Sequence, residues 1–282
     1  MQKLLIVLSI LLAHLSLQGQ DLPTTYQFAQ DRIALGEFDE AIEALHRVVF
    51  FDKEKEYKEA YGSLAECYHL SQNLDQAIRY YDIAYFLTDD DSLKYEFLFN
   101  KTNCLLQQHK FKYALVELYN LPDSLPQYFE DKKHFYTAIV DFGQEDYAAA
   151  QENFLKLVKG NEKATEEINN LFVKNDKLKR FNPKTALWLS TFVPGLGQMY
   201  MGDFQSGINS LLINAAFYVL FVSVIRTGTF WEAILFVYPW FQRYYVGGIN
   251  GAKRSAVQQK KEKRAEIYQN ILWQIEHRKA VN

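Results

Sequence analysis

Residues 38–48 read FDEAIEALHRV, and the same spacing returns as LDQAIRYYDIA at 74–84, FKYALVELYNL at 111–121 and YAAAQENFLKL at 147–157. In each copy an aromatic residue or Leu is followed three residues on by Ala, then four further on by a bulky apolar side chain and three after that by a second apolar one. The copies are Phe38, Ala41, Leu45, Val48; Leu74, Ala77, Tyr81, Ala84; Phe111, Ala114, Leu118, Leu121; and Tyr147, Ala150, Phe154, Leu157. Steps of three and four put these side chains on one helical face, and Ala lets a neighbouring helix approach where a larger residue would hold it off. The alanines recur after 36, 37 and 36 residues. Twelve residues before each stands another small residue, Ala29, Ala65, Thr102 or Ala138, inside a preceding helical stretch. Each unit is therefore a helical hairpin, and four of them over 22–160 are expected to stack into an all-α solenoid.

These residues resemble the tetratricopeptide repeat, which asks for a small residue in the first helix and for an aromatic, an Ala, a bulky and a small apolar residue in the second. The period exceeds the family's usual 34 or so, the turn glycine occurs only as Gly36, and the closing proline is absent. The resemblance implies that the first helix of each hairpin lines a concave groove. It places Tyr26, Gln30, Glu66, His69, Phe99, Asn103, Phe135 and Phe142 there. Aromatics with polar neighbours suit an extended peptide or a helix. Phe99, Phe135 and Phe142 equally fit packing positions one register over.

Residues 21–170 hold 28 Asp and Glu against 15 Lys and Arg, a net of -13, and the rest of the chain holds 6 against 16, a net of +10. The acidic part reads as a solvated domain, and the basic part flanks apolar segments as cytoplasmic membrane borders do. Lys3, the apolar run Leu4 to Leu17 and Gln18, Gly19, Gln20 have the grammar of a signal peptide over 1–19. As a helix that run covers roughly 21 Å, short of the ~30 Å hydrocarbon core, so cleavage near Gly19 is expected. Cys67 and Cys104 share one repeat position, and stacked hairpins about 10 Å apart exceed the roughly 7 Å reach of a disulfide, so both read as core residues. His69, His109 and His134 lie at no metal-ligand spacing. No nucleophile–base set or carboxylate pair stands out, so the expectation is a non-enzyme with no cofactor, no metal and no nucleic-acid partner.

Beyond the repeats, 161–184 reads as a polar helical connector and 185–250 as a membrane domain. Gly207 to Ile225 is 19 residues without a charge, about 28 Å of helix, and a second stretch runs from Thr229 to Ile249 after Arg226, Thr227 and Gly228. The pair, 207–225 and 229–249, reads as a transmembrane α-helical hairpin following the solenoid. The stretch 186–204, interrupted by Pro194, fits a re-entrant segment or a distorted third span. Glu232 and Arg243 share one helical face with Pro239 between them, and snorkelling to the headgroups accounts for both. The tail 251–282 holds six Lys or Arg between 253 and 264 and Ile267, Ile271, Leu272 and Ile275 at helical spacing. It reads as a basic amphipathic helix for the membrane surface.

Pro194, Gly195, Gly197, Gln198 and Tyr200, with Gly202 and, past the hairpin, Arg243, Tyr244, Tyr245, Gly247, Gly248 and Ala252, resemble a family of bacterial membrane domains to which no chemistry is assigned. The likeness covers about 183–256, and its glycines read as close-packing points between helices. The combined expectation is a bacterial inner-membrane scaffold with its repeats on the periplasmic side. Its groove would hold an envelope protein or peptide and its hairpin would sit in the lipid bilayer; the oligomeric state is not legible. The alternative gives the membrane domain the main role, in lipid handling, transport or membrane-protein insertion, with the repeats as a docking arm. Glu232, Arg243, Asn209 and Asn214 would then carry the function.

Overall fold

A computed structural model describes residues 21–180 and 182–277. The expected signal peptide, 1–19, lies outside the described residues. Among them there are helices and no strand, and the chain divides after Leu157 into two compact units.

Among the described residues the first unit holds eight helices: α1 (Leu22–Leu35), α2 (Phe38–Phe51), α3 (Glu59–Leu70), α4 (Leu74–Leu87), α5 (Asp91–Gln107), α6 (Phe111–Tyr119), α7 (Gln127–Gly143) and α8 (Tyr147–Leu157). Each packs on the next in sequence, as a solenoid of hairpins requires. The repeated signature is the core. Ala41, Ala77, Ala114 and Ala150 are fully buried, as are Ala29, Ala65, Thr102 and Ala138 in the partner helices. Leu45, Tyr81, Leu118 and Phe154 fill the space between them. Thr102 tolerates this position because its hydroxyl donates to the Leu98 carbonyl one turn back at 2.7 Å. Cys67 and Cys104 are buried and unlinked, and burial pushes their thiols up to about 11 and about 12, so neither is a reactive group.

The turns inside the hairpins share one geometry that the sequence conceals. Gly36, Gln72, His109 and Glu145 all have positive φ, 76°, 63°, 56° and 65°. Each lies five residues before a repeat alanine. In every copy the residue after it donates to a carbonyl five back: Glu37 to Arg32, Asn73 to Tyr68, Lys110 to Leu105 and Asp146 to Asp141. That is the Schellman closure of a helix, which favours glycine. The missing turn glycines are therefore missing side-chain choices and leave the turns themselves intact. A left-handed residue with a Cβ costs about 1–2 kcal/mol, partly offset by the greater unfolded freedom of glycine. Gln72→Gly or Glu145→Gly is accordingly expected to stabilise the first unit by about 0.5–1 kcal/mol, read as a rise in its chemical-denaturation midpoint.

The second unit contains α9 (Glu162–Lys177), α10 (Pro183–Phe192), α11 (Leu196–Tyr200), α12 (Phe204–Thr227) and α13 (Tyr238–Glu276). Asn161, Asn182 and Asp203 cap the N-termini of α9, α10 and α12 by accepting backbone N–H bonds. The segment expected to be re-entrant or spanning is two short helices, α10 and α11, meeting at Pro194 and Gly195. The residues read as a polar connector become α9, which packs against α13.

Two readings of this unit are corrected. The second arm of the hairpin and the tail are one helix: α13 continues without a break from Tyr238 to Glu276. Its stripe Ile267, Ile271 and Ile275 is buried within the unit and is not free for a membrane surface. Amphipathic spacing alone does not distinguish burial against protein from burial in lipid. Glu232, expected to snorkel, has a local role as a helix cap. Its carboxylate accepts from the Thr229 N–H at 3.0 Å, and its own N–H donates to the Thr229 hydroxyl, a reciprocal capping box that starts the returning helix. Between that cap and Tyr238 runs a π-helical segment, Ala233–Val237, which absorbs the proline that follows.

Candidate functional site

In the first unit the expected groove residues divide by burial. Gln30 donates to Ser63 across α1 and α3 at 3.4 Å, and the Gln107 side-chain nitrogen lies 2.9 Å from His69 Nε2 across α3 and α5. Burial holds the His69 imidazole below its ordinary range, with the Glu66 carboxylate opposing, so a neutral ring accepting from the amide fits the contact. Tyr26 packs against Tyr57 with ring centroids 5.1 Å apart. Glu66 is exposed, and Asn103 and Phe135 are partly so. Phe99 and Phe142 do not line a groove. Phe99 is fully buried, stacked on Phe129 at 6.3 Å and on Tyr136 at 5.5 Å, and Phe142 is 9% exposed with its ring edge against Tyr147. Phe99 has the register of a packing residue because α5 and α7 touch each other directly, and Phe142 because its ring meets Tyr147 of α8.

What the groove does contain is a cleft of about 350 Å³ between α3, α4 and α5. Its floor is Tyr81 and Phe97, and its rim carries Glu59, Ser63, Glu66 and Asn100. Gly62 permits it: a Cβ there would stand 3.1 Å from the Phe97 ring, which leans over the glycine. Glu59 and Glu66 are seven residues apart, two turns, and so share a face of α3. Both are exposed, and neither takes part in an ion pair among the described residues. The neighbouring Lys58 turns to Asp89. An aromatic floor under two unneutralised carboxylates is chemically suited to a cation carried on an extended chain.

A second surface of this unit escaped the sequence reading. Phe50 and Phe86 hold the same repeat position, nine residues after Ala41 and Ala77, and are 76% and 81% exposed. Phe50, with Phe51, Tyr61 and Tyr80, borders a cleft of about 630 Å³ whose floor is His46, hydrogen-bonded to the Tyr68 hydroxyl at 2.7 Å. The signal was present as two bulky residues at one repeat position outside the packing signature.

In the second unit the glycine-rich signature forms a packing node. Gly197 N–H donates to the Ser190 hydroxyl at 3.0 Å, that hydroxyl donates to Gln198 Oε1 at 3.1 Å, and the Gln198 amide donates to the Gly248 carbonyl of α13 at 3.0 Å. The Tyr245 hydroxyl completes the node by donating to the Thr191 carbonyl. A Cβ at Gly195 would stand 2.0 Å from the Gly207 carbonyl oxygen, and one at Gly197 would stand 2.0 Å from that of Ala186. Gly195 and Gly197 thus let α11 meet the backbones of α12 and α10, and the Gln198 side chain ties it to α13, with Pro194 at the turn that ends α10. Tyr200, 39% exposed, and Arg243, also exposed, lie outside that node.

Phe204–Thr227 is, among the described residues, the one helix long and apolar enough to cross a membrane; its mean hydropathy is 2.0 and 6% of its most apolar window is buried. The second arm is divided between the π-helical Ala233–Val237 and the start of α13, which runs on into the charged tail.

Residues 26–92 match the family model of the tetratricopeptide repeat. The match covers the first two hairpins, and such repeats serve as protein-interaction scaffolds. No curated protein matches the chain.

Proposed function

We propose that this protein is a membrane-anchored scaffold whose repeat unit holds a basic, extended segment of an exported protein, with the repeats on the periplasmic side of a bacterial inner membrane. The carrying observation is the cleft over Phe97 and Tyr81, rimmed by the unpaired Glu59 and Glu66. A Lys or Arg side chain entering it meets two carboxylates and an aromatic face, and main-chain groups of the segment meet Ser63 and Asn100. The high negative charge of 21–170 speeds capture of such a segment.

Anchoring rests on α12. A soluble core helix of this hydropathy would be mostly buried, whereas Leu212, Tyr218 and Val219 on α12, with Leu235 and Phe236 on the returning chain, are each at least 60% exposed. At about 1.5 Å per residue its 24 residues span roughly 36 Å, enough for the hydrocarbon core.

A photocrosslinker placed at Ser63 in the full-length chain, in cells, tests the assignment against the same group at Glu43, an exposed position of α2 that does not line the cleft. Capture from Ser63 of one exported protein, through a segment containing Lys or Arg, is the expected result. In the Glu59→Gln, Glu66→Gln variant that capture should fall by about tenfold or more, on the scale of two charge-assisted contacts. Equal capture from both positions, or capture indifferent to the two carboxylates, would exclude the cleft.

A further inference from the structure

Within the second unit, a cleft of about 570 Å³ opens between α12 and α13, lined by Ser210, Asn214, Trp240, Arg243, Tyr244 and Gly248 among others. Asn214 is 95% buried, being 5% exposed. Its side-chain nitrogen donates to the Ser210 carbonyl one turn back at 2.7 Å. That bond occupies the amide nitrogen and leaves Oδ1 a buried acceptor with no partner; the Ser210 hydroxyl has none either, and both residues line the cleft. Arg243 makes no ion pair or hydrogen bond among the described residues. Orphaned buried polar atoms beside an unpaired guanidinium are costly in any medium and most of all beside lipid. Asn214 lies ten residues into α12, roughly 15 Å along it from Phe204, so water alone is a poor remedy.

The three groups differ in what they require. Arg243 and the Ser210 hydroxyl are donors and call for an anion; Asn214 Oδ1 is an acceptor and calls for an N–H or O–H. A phosphodiester with no donor of its own would satisfy the first two and leave the third unmet. A phosphodiester carrying a primary ammonium two carbons away satisfies all of them. Access is provided by α13 itself. Arg243, Gly247, Asn250 and Arg254 recur at steps of three and four on one exposed face, and Asn250, Lys253 and Arg254 line a further cleft towards the charged part of the helix. This polar track leads a headgroup from the basic region to Arg243, while the exposed Leu211, Leu212 and Tyr218 of α12 offer apolar surface for acyl chains.

We propose that the cleft between α12 and α13 is a phospholipid site, with the phosphodiester on Arg243 and Ser210 and an ethanolamine ammonium on Asn214 Oδ1. The proposal rests on the membrane reading of α12, and the two are tested separately. Flotation of the full chain with vesicles reports the membrane reading. Native mass spectrometry of the detergent-purified full chain, titrated with phosphatidylethanolamine, phosphatidylcholine, diacylglycerol or soluble glycerophosphoethanolamine, reports the site. Phosphatidylethanolamine should bind at least tenfold more tightly than diacylglycerol and more tightly than the choline lipid, whose ammonium has no N–H. Glycerophosphoethanolamine should compete for the site, and failure to do so would overturn the headgroup assignment. Arg243→Gln should erase the preference over diacylglycerol. Equal affinity of the wild-type chain for phosphatidylethanolamine and diacylglycerol overturns the proposal without reference to any variant, and so does a preference that survives Arg243→Gln. Equal affinity for the ethanolamine and choline lipids removes the role given to Asn214.

Discussion

Phe99→Ala is expected to lower the stability of the repeat unit by about 3–5 kcal/mol, the range for emptying a buried aromatic site. The ring is fully buried and lies between Phe129 and Tyr136, and Lys132 Nζ sits 5.1 Å from its centroid while pairing with Glu96. Removal of the ring therefore empties the junction of α5 with α7 and strips an ion pair of its apolar support. Chemical denaturation of the purified chain, followed by helical circular dichroism, should show the repeat transition moving to lower denaturant, and Phe99→Leu should recover much of the loss by restoring volume. A loss below about 1 kcal/mol would mean that the junction does not depend on this ring. The prediction also matters for binding work. Phe99→Ala would abolish partner capture by loosening the array, and without a stability measurement that result would pass for a groove contact. Glu59 and Glu66, exposed and unpaired, are the positions where binding and folding separate.

The second large effect is at Gly195. Its φ of +94° is left-handed, and a Cβ would meet the Gly207 carbonyl oxygen at 2.0 Å and the Leu211 nitrogen at 3.2 Å. Both neighbours are backbone, so neither can turn away, and α11 must separate from α12. Gly202 has φ +88° but open space around it. Gly202→Ala should therefore cost only the conformational term, about 1 kcal/mol, whereas Gly195→Ala adds an overpacking cost to it and should reach about 2–5 kcal/mol. Thermal melting in a mild detergent, with the two variants side by side, measures the difference. Equal melting points would show that the close approach of α11 and α12 contributes nothing to holding the second unit together.

The pairing of these two glycines shows what a sequence motif does and does not carry. Pro194, Gly195, Gly197 and Gln198 are legible as a packing signature because small residues at short spacing allow helices to touch. Which helices they join is set by chain segments far away: Gln198 reaches Gly248, and Gly195 meets Gly207. Arg243 reads from sequence as one charge near the end of a span. Its cleft mates Ser210 and Asn214 come from the other helix, and no spacing rule within one helix links them.

The amino-acid sequence by itself determined the helical hairpins, their number and their packing faces. Those depend on local periodicity and on small residues every 36 or 37 positions, both of which survive in one dimension. It also determined the separation of an acidic repeat region from a basic, apolar one. The tertiary structure alone decided burial and partnership. Phe99 belongs to packing because α5 and α7 meet there and Phe142 because it lies against Tyr147 of α8, and Ile267, Ile271 and Ile275 face protein instead of lipid. Gln72, His109 and Glu145 occupy glycine's conformation without being glycine. In each case the deciding quantity is which atoms of a distant segment occupy the neighbouring volume, and apolar periodicity is the same whether that volume holds protein, lipid or a ligand.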